Sequence, residues 1–349
     1  MPQTQPGDIR QMKELSVIIV SWNACGYLRD CLRSVQSTGD SVVKDVIVVD
    51  NGSTDGSQAM VAKEFPTVTL VQSENNLGFA KANNLGLKYS TGKFVALINS
   101  DVIVHGECFM ELLAYLAAHA DVGLIGPNVC GPDGQLQRTC RQFPTLWNTF
   151  CRSFALDTLL PKWKLFSGKE MRHWNHQNLA EVEVISGCFW VARKAAITDV
   201  GNLDERFFFY AEDVDWCKRF RDAGWNVVFV PTATATHFGG ASSANAPLFF
   251  SIELLRANLS YWRKHHSDVG QAGFYLLSVL HHGIRFFLLS PKAVLSVMFH
   301  HEAPHKFQRS MVCLRWLATG HELNTPAYHL KLKATAGSPE PAPTKISSC

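Results

Sequence analysis

Several signatures that would assign a function at once are missing from this chain of 349 residues. No Gly-x-Gly-x-x-Gly follows the first predicted strand and no Gly-Lys-Ser/Thr occurs, which disfavours dinucleotide-binding Rossmann enzymes and P-loop nucleotide triphosphatases. The ten cysteines include no Cys-x-x-Cys pair, so we expect no zinc site. No uninterrupted apolar run reaches about 18 residues, and the N-terminus is polar, so we expect neither a membrane-spanning helix nor a signal peptide.

The chain also lacks a strong excess of charge of either sign. The net charge is +3, only 18% of residues are charged, and no Lys/Arg-rich block occurs, so we expect no nucleic-acid partner. Hydrophobic residues make up 46% of the chain, which is enough for one large domain with or without an extension.

Short apolar runs alternate with helical patterns over the first hundred residues. The runs cover residues 15–20, 46–49, 68–71 and 94–98, and each reads as a strand buried on both faces. This β-α-β alternation predicts an α/β fold with a doubly wound sheet.

Polar side chains follow three of these predicted strands. Asn23 and Asp50 come after the first two, and Asp101 closes the fourth, which would place Asp50 and Asp101 at the ends of adjacent strands. Ligands of open α/β sheets bind at the carboxyl ends of the strands. We therefore expect short polar groups that grip a base and a ribose, with a carboxylate nearby.

The second half of the chain supplies a candidate base and a candidate ligand. Glu212, Asp213 and Asp215 begin a predicted helix directly after an aromatic run, which favours a carboxylate in a partly apolar cleft whose pKa is high enough for proton abstraction. His237, beside a pair of glycines, is a candidate metal ligand or phosphate contact. Residues 182–192 are predicted to form one strand.

The remaining segments are organised as follows. We expect a disordered lead at 1–13, an α/β domain at 14–265, a helical extension at 266–325 and a disordered tail at 326–349. Within the domain, residues 143–178 are either a lid near the acceptor or an irregular surface excursion.

The extension carries a strongly apolar segment at 274–299. Pro291 is predicted to divide it into two helices. The segment is either a cap packed on the domain or an interfacial anchor whose basic groups meet anionic lipid headgroups.

Taken together, these motifs resemble inverting nucleotide-sugar glycosyltransferases of family 2 with the GT-A fold, a Rossmann-like nucleotide-binding mixed sheet flanked by helices. The bacterial rhamnosyltransferase-like members are the most similar, and the resemblance covers about residues 14–265. The motifs are Val17–Asn23, Val48–Ser57, Asn76–Asn84, Asn99–Asp101, Ile185–Gly187, Asp204–Phe208, Glu212–Asp215 and His237–Gly240.

The resemblance implies a role for each matched residue. Asp50 would accept a hydrogen bond from N3–H of uracil or thymine, Asp101 would bind Mg²⁺ or Mn²⁺ on the diphosphate, and Asp213 would be the general base. His237 would add a metal or diphosphate contact. The other implied donor-binding residues are Ser21, Asn23, Asn51, Ser53, Gly78, Asn83, Asn99 and Ser100. Because Asn99 replaces the first carboxylate of the usual Asp-x-Asp, we expect weaker metal affinity than in relatives with two.

The implied activity is transfer of rhamnose or a similar hexose from a dTDP- or UDP-sugar to a glycan acceptor. The acceptor would be lipid-linked, and the enzyme would be cytoplasmic and peripheral at the inner face of the inner membrane, in synthesis of cell-surface polysaccharide. A sugar nucleotidyltransferase would instead need a glycine-rich basic loop after strand one, which residues 21–25 do not supply. A non-catalytic nucleotide-sugar-binding module is the other alternative, and it would not hydrolyse its donor. A processive synthase would need spanning helices and a Gln-x-x-Arg-Trp motif, which is not found.

Overall fold

The computed structural model of this chain describes residues 13–39, 41–239, 247–298 and 303–320. The predicted disordered lead, apart from Lys13, and the predicted disordered tail lie outside the described residues, as does Gly240.

Strands and helices alternate as the sequence predicts through the first half of the chain. The strands are β1 Leu15–Ser21, β2 Val43–Asp50, β3 Thr69–Gln72, β4 Phe94–Asn99, β5 Val102–Val104, β6 Val122–Cys130, β7 Cys140–Arg141, β8 Ala180–Glu181, β9 Val184–Ile185, β10 Phe189–Arg193 and β11 Asn226–His237. The helices are α1 Cys25–Gly39, α2 Ser57–Glu64, α3 Phe79–Leu87, α4 Cys108–Ala118, α5 Leu146–Ser153, α6 Leu156–Leu159, α7 Lys194–Val200, α8 Glu212–Asp222, α9 Pro247–His265, α10 Asp268–Met298 and α11 His305–Thr319.

A nine-stranded mixed sheet forms the centre of the molecule, in the order β3-β2-β1-β4-β10-β6-β11-β5 with β8 paired to β11. The four strands predicted from the apolar runs are parallel, whereas β10 joins β4 in antiparallel orientation. Because β1 lies between β2 and β4, Asp50 and Asp101 follow strands that are one strand apart, and the prediction of adjacent strands is wrong. Both residues still lie at the carboxyl edge of the parallel strands.

Alternating side chains of the sheet build two hydrophobic layers. In β1, Val17 and Ile19 pack with α1, α2 and α4, whereas Ile18 faces the layer that contains α3, α7 and α8. This two-sided burial is the reason that the strands read as continuous apolar runs. The second layer also includes buried side chains of α9, α10 and α11, so the C-terminal helices extend the core of the catalytic domain.

The segment predicted as one strand at 182–192 is two strands in different sheets. β9 pairs with β7 in a separate two-stranded sheet, and β10 belongs to the central sheet. The chain turns between them at Gly187, where an added Cβ would lie 3.2 Å from the Trp190 ring. A three-residue turn, residues 186–188, therefore separates two short apolar strands.

Helix α10 continues through Pro291 for 31 residues, so the predicted division into two helices is wrong. Contacts on both sides of the proline hold the segment together: Phe286 stacks on Phe307 at a centroid distance of 5.0 Å, and Ala293 is buried. Residues 268–296 are long and apolar enough to cross a membrane by length and composition, although we expected no such helix, and only 17% of the apolar window is buried. Core helices of water-soluble proteins also meet this criterion.

Candidate active site

A hydrogen-bonded cluster at the ends of β1 and β2 contains four of the predicted donor-binding residues. Asp50 Oδ1 accepts hydrogen bonds from Ser53 N at 2.9 Å and from Gln58 Nε2 at 2.8 Å. Asn23 N donates to Ser53 Oγ at 3.0 Å. Among the described residues, neither Asp50 Oδ2 nor Ser21 Oγ has a hydrogen-bond partner, although both atoms are buried. A buried polar atom without a hydrogen-bond partner costs free energy of folding. These two atoms therefore mark a place where polar groups of a ligand would form hydrogen bonds.

Two further predicted residues, Asn51 and Gly78, position the loop that precedes α3. Asn51 Oδ1 accepts from Leu77 N at 2.7 Å, and its Nδ2 donates to Gly78 O at 3.3 Å. Gly78 has a φ of 81°, and an added Cβ would lie 2.5 Å from Phe208 O, so only glycine fits. These residues connect the cluster around Asp50 to the segment that leads into α8.

Asn83 makes an internal contact in α3, where its amide donates to Phe79 O at 2.9 Å and is almost fully buried. The neighbouring Asn84, which the sequence analysis did not select, holds the segment before α8 through its contacts with Leu203 and Glu205. The asparagines of this motif therefore support the scaffold of the site.

Pairing of β11 with β5 brings His237 opposite Val102, and hence beside Asp101. His237 Nε2 lies 3.3 Å from Asp101 Oδ1 and 3.4 Å from Asn99 Nδ2. Asp101 Oδ2 accepts from Gly239 N at 3.1 Å. The two predicted metal ligands are thus neighbours, with Ser100 in the turn between Asn99 and Asp101.

Gln137 fixes the tautomer of His237. Its Nε2 donates to His237 O at 2.6 Å, so its Oε1 is the atom that faces His237 Nδ1 at 2.9 Å and accepts the proton there. In the neutral imidazole the lone pair lies on Nε2, which faces Asp101 Oδ1, so two acceptors then face each other. A cation bound between them would satisfy both, which is the donor set that suits a divalent metal with oxygen and imidazole ligands. Among the described residues no group of three or more His, Cys, Asp or Glu side chains surrounds this point.

Asp213 lies in the first turn of α8 and is buried. Its Oδ1 accepts from Val214 N at 2.8 Å, and its Oδ2 forms an ion pair with Arg141 of β7. Tyr210 and Ala211, directly before α8, both have positive φ, of 70° and 63°. Consecutive non-glycine residues in this conformation store strain of about 1–3 kcal/mol each and are typical of functional sites.

Cys188 lies near both Asp101 and Arg141. Asn99 N donates to Cys188 O at 2.9 Å, and β9, just before it, pairs with β7, which carries Arg141. Burial and the charge of Asp101 together raise the pKa of the Cys188 thiol to about 12, and the charge of Arg141 opposes the shift. Asp101 and Arg141 are therefore both close enough to this buried side chain to influence its charge.

The neighbouring acidic residues differ in their environment. Burial and the charge of Asp213 raise the pKa of Glu212 to about 8, and its Oε2 has no hydrogen-bond partner in the described chain. Asp215 is fully buried and paired with Arg219 at 2.9 Å and with His265 at 2.7 Å. Although burial opposes ionisation, those hydrogen bonds and charges lower the pKa of Asp215. Asp215 thus anchors α9 to α8 and is not available to a substrate.

Three polar residues of the site were not selected from the sequence: Gln58, Gln137 and Arg141. Gln58 is the second residue of α2 and lies only 8 positions from Asp50, so its closeness in sequence could have suggested it. Gln137 and Arg141 contact residues 100 and 72 positions away, and no local motif marks them.

Comparison with known proteins identifies the family. The profile described as Glycosyl transferase family 2 matches residues 16–200. An N-acetylglucosaminyl-diphospho-decaprenol L-rhamnosyltransferase of Mycobacterium tuberculosis is 30% identical over 246 residues, which cover 67% of this chain and 78% of that protein. The low-salt glycan biosynthesis hexosyltransferase Agl10 of Haloferax volcanii is 25% identical over 230 residues, covering 65% of this chain and 67% of that protein.

Solved structures agree on the fold. The mannosyltransferase PcManGT from Pyrobaculum calidifontis, in complex with GDP-Man and Mn²⁺, superposes with a TM-score of 0.53 at 15% identity and covers 88% of both chains. GalNAc-T7 with UDP, GalNAc and Mn²⁺ also gives a TM-score of 0.53 at 15% identity, covering 88% of this chain and 57% of that one. The predicted GT-A fold with C-terminal helices is confirmed. The chain is a member of glycosyl transferase family 2, and hence a nucleotide-sugar-dependent transferase.

Proposed function

We propose that this enzyme transfers rhamnose or a similar hexose, with inversion, from a dTDP- or UDP-sugar to a hydroxyl of a lipid-linked glycan acceptor. The mycobacterial relative is named for L-rhamnosyl transfer to N-acetylglucosaminyl-diphospho-decaprenol, which supports both the sugar and the acceptor class. The observation that carries the proposal is the buried Asp213 in the first turn of α8, held by an ion pair with Arg141.

Asp213 is the proposed general base. A carboxylate has about four lone-pair positions, and Arg141 and Val214 N occupy two of them. The acceptor hydroxyl gives its proton to Asp213 while its oxygen attacks the anomeric carbon from the face opposite the diphosphate. The bond between sugar and phosphate breaks, and the nucleoside diphosphate leaves. Burial and the charge of Asp213 raise the pKa of Glu212 to about 8, so Glu212 holds its proton at neutral pH and does not act as the base.

Asp50 is proposed to recognise the nucleobase, since its free Oδ2 can accept a hydrogen bond from N3–H of uracil or thymine. Asp101 and His237 are the proposed ligands of Mg²⁺ or Mn²⁺, in line with the Mn²⁺ in the two solved structures described above. A divalent cation held there would stabilise the charge that develops on the leaving diphosphate.

We further propose that residues 14–265 form the catalytic unit and 266–325 an extension that contacts the cytoplasmic face of the inner membrane. In this arrangement the exposed apolar side chains of α10 would lie in the lipid interface. A membrane-bound acceptor would then be presented to Asp213 without leaving the bilayer.

The test is a screen of nucleotide-sugars for slow donor hydrolysis, followed by transfer to a short-chain prenyl-diphosphate-linked N-acetylglucosamine. We expect dTDP- or UDP-sugars to be turned over. Asp213→Asn should bind the donor as the parent does and lose at least about 100-fold in turnover, the usual scale for removal of a general base. Asp222→Asn, at the exposed end of the same helix, is the matched control. Transfer by Asp213→Asn at the parent rate would make this base assignment wrong.

A further inference from the structure

A second cavity lies away from the nucleotide end of the site, between the segment 141–170 and the helices α9, α10 and α11. It has a volume of about 330 Å³. One face of α10 forms its floor, with Phe274, Leu277, Ser278, His281, His282 and Arg285 at helical spacing. None of the predicted donor-binding residues lines it.

The polar lining of this cavity is predominantly cationic. Five Lys or Arg side chains line it, against the two carboxylates Asp157 and Glu170, and both of those pair with Arg152. Among the described residues, no carboxylate lies within ion-pair distance of Lys169, Arg285 or Arg309. An anionic ligand would therefore find cations that are not already neutralised.

Two unpartnered nitrogen atoms point to the same conclusion. His282 is 92% buried, since only 8% of its surface is exposed, and its Nδ1 has no hydrogen-bond partner in the part of the chain described. Arg309 Nε is also buried without one. Burial and the nearby arginines lower the pKa of His282 to about 4, so His282 is neutral and offers one N–H and one lone pair. Burial and the charges of Arg141 and Arg152 lower the pKa of Lys169 to about 8, as expected where cations are crowded.

The cavity connects the proposed base to the apolar face of α10. Arg141 lines the cavity and also forms the ion pair with Asp213. Other side chains of α10 are exposed, among them Leu276, Phe287 and Leu288. Leu254, Leu255 and Phe274 add an apolar wall inside. A ligand here would be amphiphilic, with a compact anionic group among the arginines.

We infer that this cavity binds the diphosphate of the acceptor's prenyl carrier, so that the sugar attached to the diphosphate reaches Asp213 past Arg141. The inference rests on the proposed function, which supplies a lipid-diphosphate acceptor. Arg285 and Arg309 are the diphosphate contacts, His282 hydrogen-bonds an oxygen, and the apolar wall receives the first part of the prenyl chain.

The experiment measures binding of farnesyl diphosphate to the full-length protein by calorimetry. We expect Arg285→Gln and Arg309→Gln each to weaken binding roughly 10-fold or more, the scale of one charged hydrogen bond. Lys292→Gln on α10 and Arg315→Gln on α11 remove one exposed charge from the same helices and should bind as the parent does. Arg285→Lys should recover part of the lost affinity. Binding by the two cavity variants equal to that of the two controls would overturn the inference.

Competition separates the sources of phosphate. Inorganic pyrophosphate and farnesol should each bind more weakly than farnesyl diphosphate, and phosphatidylglycerol vesicles should not displace it. Displacement by the vesicles would make this a phospholipid headgroup site, and an equal loss of UDP or dTDP affinity in Arg285→Gln and Arg309→Gln would assign the cavity to the donor. Either result contradicts the inference. If the parent binds farnesyl diphosphate but hydrolyses no nucleotide-sugar, the proposed function fails and the cavity assignment stands.

Discussion

Arg141 and Asp213 form a partly buried ion pair across 72 positions of sequence, joining the two-stranded sheet to the first turn of α8. Burial alone would lower the pKa of Arg141, but the charge and hydrogen bond of Asp213 raise it above its usual value. The guanidinium therefore remains charged and fixes the orientation of the carboxylate that we propose as the base.

The first prediction concerns the stability of this pair. Arg141→Gln should lower the free energy of unfolding by roughly 2–4 kcal/mol, because it leaves the Asp213 carboxylate buried without its cation. Asp213→Asn should restore part of this loss when combined with it, giving a coupling energy in a double-mutant cycle monitored by urea unfolding. Arg33→Gln, which breaks an exposed pair with Glu64, should cost less than about 1 kcal/mol. Additive effects at Arg141 and Asp213 would show that the pair does not stabilise the fold.

The second prediction concerns Glu212. Its pKa is raised by burial and by Asp213 to about 8, so the folded protein keeps a proton that the unfolded chain has lost above its ordinary pKa of 4.5. Stability should therefore fall as pH rises from about 5 to 8. Glu212→Gln removes this dependence, so its melting temperature should exceed that of the parent increasingly towards pH 8 and match it near pH 4. The exposed Glu107→Gln should follow the parent at every pH, and a parallel curve for Glu212→Gln would contradict the assignment.

The strands of the first half could be predicted because burial on both faces makes each one a continuous apolar run. The same rule failed at 182–192, where two apolar strands belong to different sheets and only the short turn at 186–188 separates them. A different rule, that proline interrupts a helix, failed at Pro291, where α10 is continuous and Phe286 stacks on Phe307 of another helix. Tertiary packing decided both cases, and a single sequence contains no direct signal for it.

The residues of the site divide in the same way. Asp50, Asp101 and Asp213 could be selected because each lies at the boundary of a strand or helix within a recognisable motif. Arg141 and Gln137 could not be selected, because contacts between segments far apart in the sequence bring them to Asp213 and His237. Asp101 and His237 could thus be predicted from the sequence, whereas Gln137, which contacts His237, could not.

The third prediction concerns the metal. EDTA and Asp101→Ala should each weaken binding of UDP or dTDP, and Mn²⁺ or Mg²⁺ should restore the binding that EDTA removes. Gln137→Leu should reduce Mn²⁺ affinity by about 10-fold or more, since it releases the His237 tautomer. The exposed Asp30→Ala should leave both affinities unchanged. Nucleotide binding that is unaffected by EDTA, measured by calorimetry, would remove the metal from the donor site.

The fourth prediction concerns which nucleobase the donor site prefers. Asp50→Ala should reduce the preference for UDP or dTDP over ADP and GDP by about tenfold, because the acceptor for N3–H is lost. Gln58→Leu is the matched control, since it removes a contact to Asp50 Oδ1 and leaves Oδ2 in place. It should retain the preference. A ratio of affinities that stays the same in Asp50→Ala would assign base reading to other residues.

The last prediction concerns the membrane. Truncation after His266 would remove Phe274, which stacks on Trp262 at 5.0 Å, so surface substitutions are the cleaner test. Phe287 and Leu288 are 75% and 72% exposed on α10. The Phe287→Ser/Leu288→Ser double variant should reduce flotation on phosphatidylglycerol vesicles about 10-fold or more, since each side chain buries apolar surface in the interface.

Leu159, which is 71% exposed on α6, provides the matched control, and Leu159→Ser should float as the parent does. Binding should weaken in high salt and be released by alkaline carbonate, because the expected contact is peripheral and partly electrostatic. Resistance to carbonate would instead mean that residues 268–296, which are long enough to cross a bilayer, do so. Equal behaviour of parent and double variant, with neither bound to vesicles, would leave α10 as a cap on the catalytic domain, which the stacking of Phe274 on Trp262 already supports.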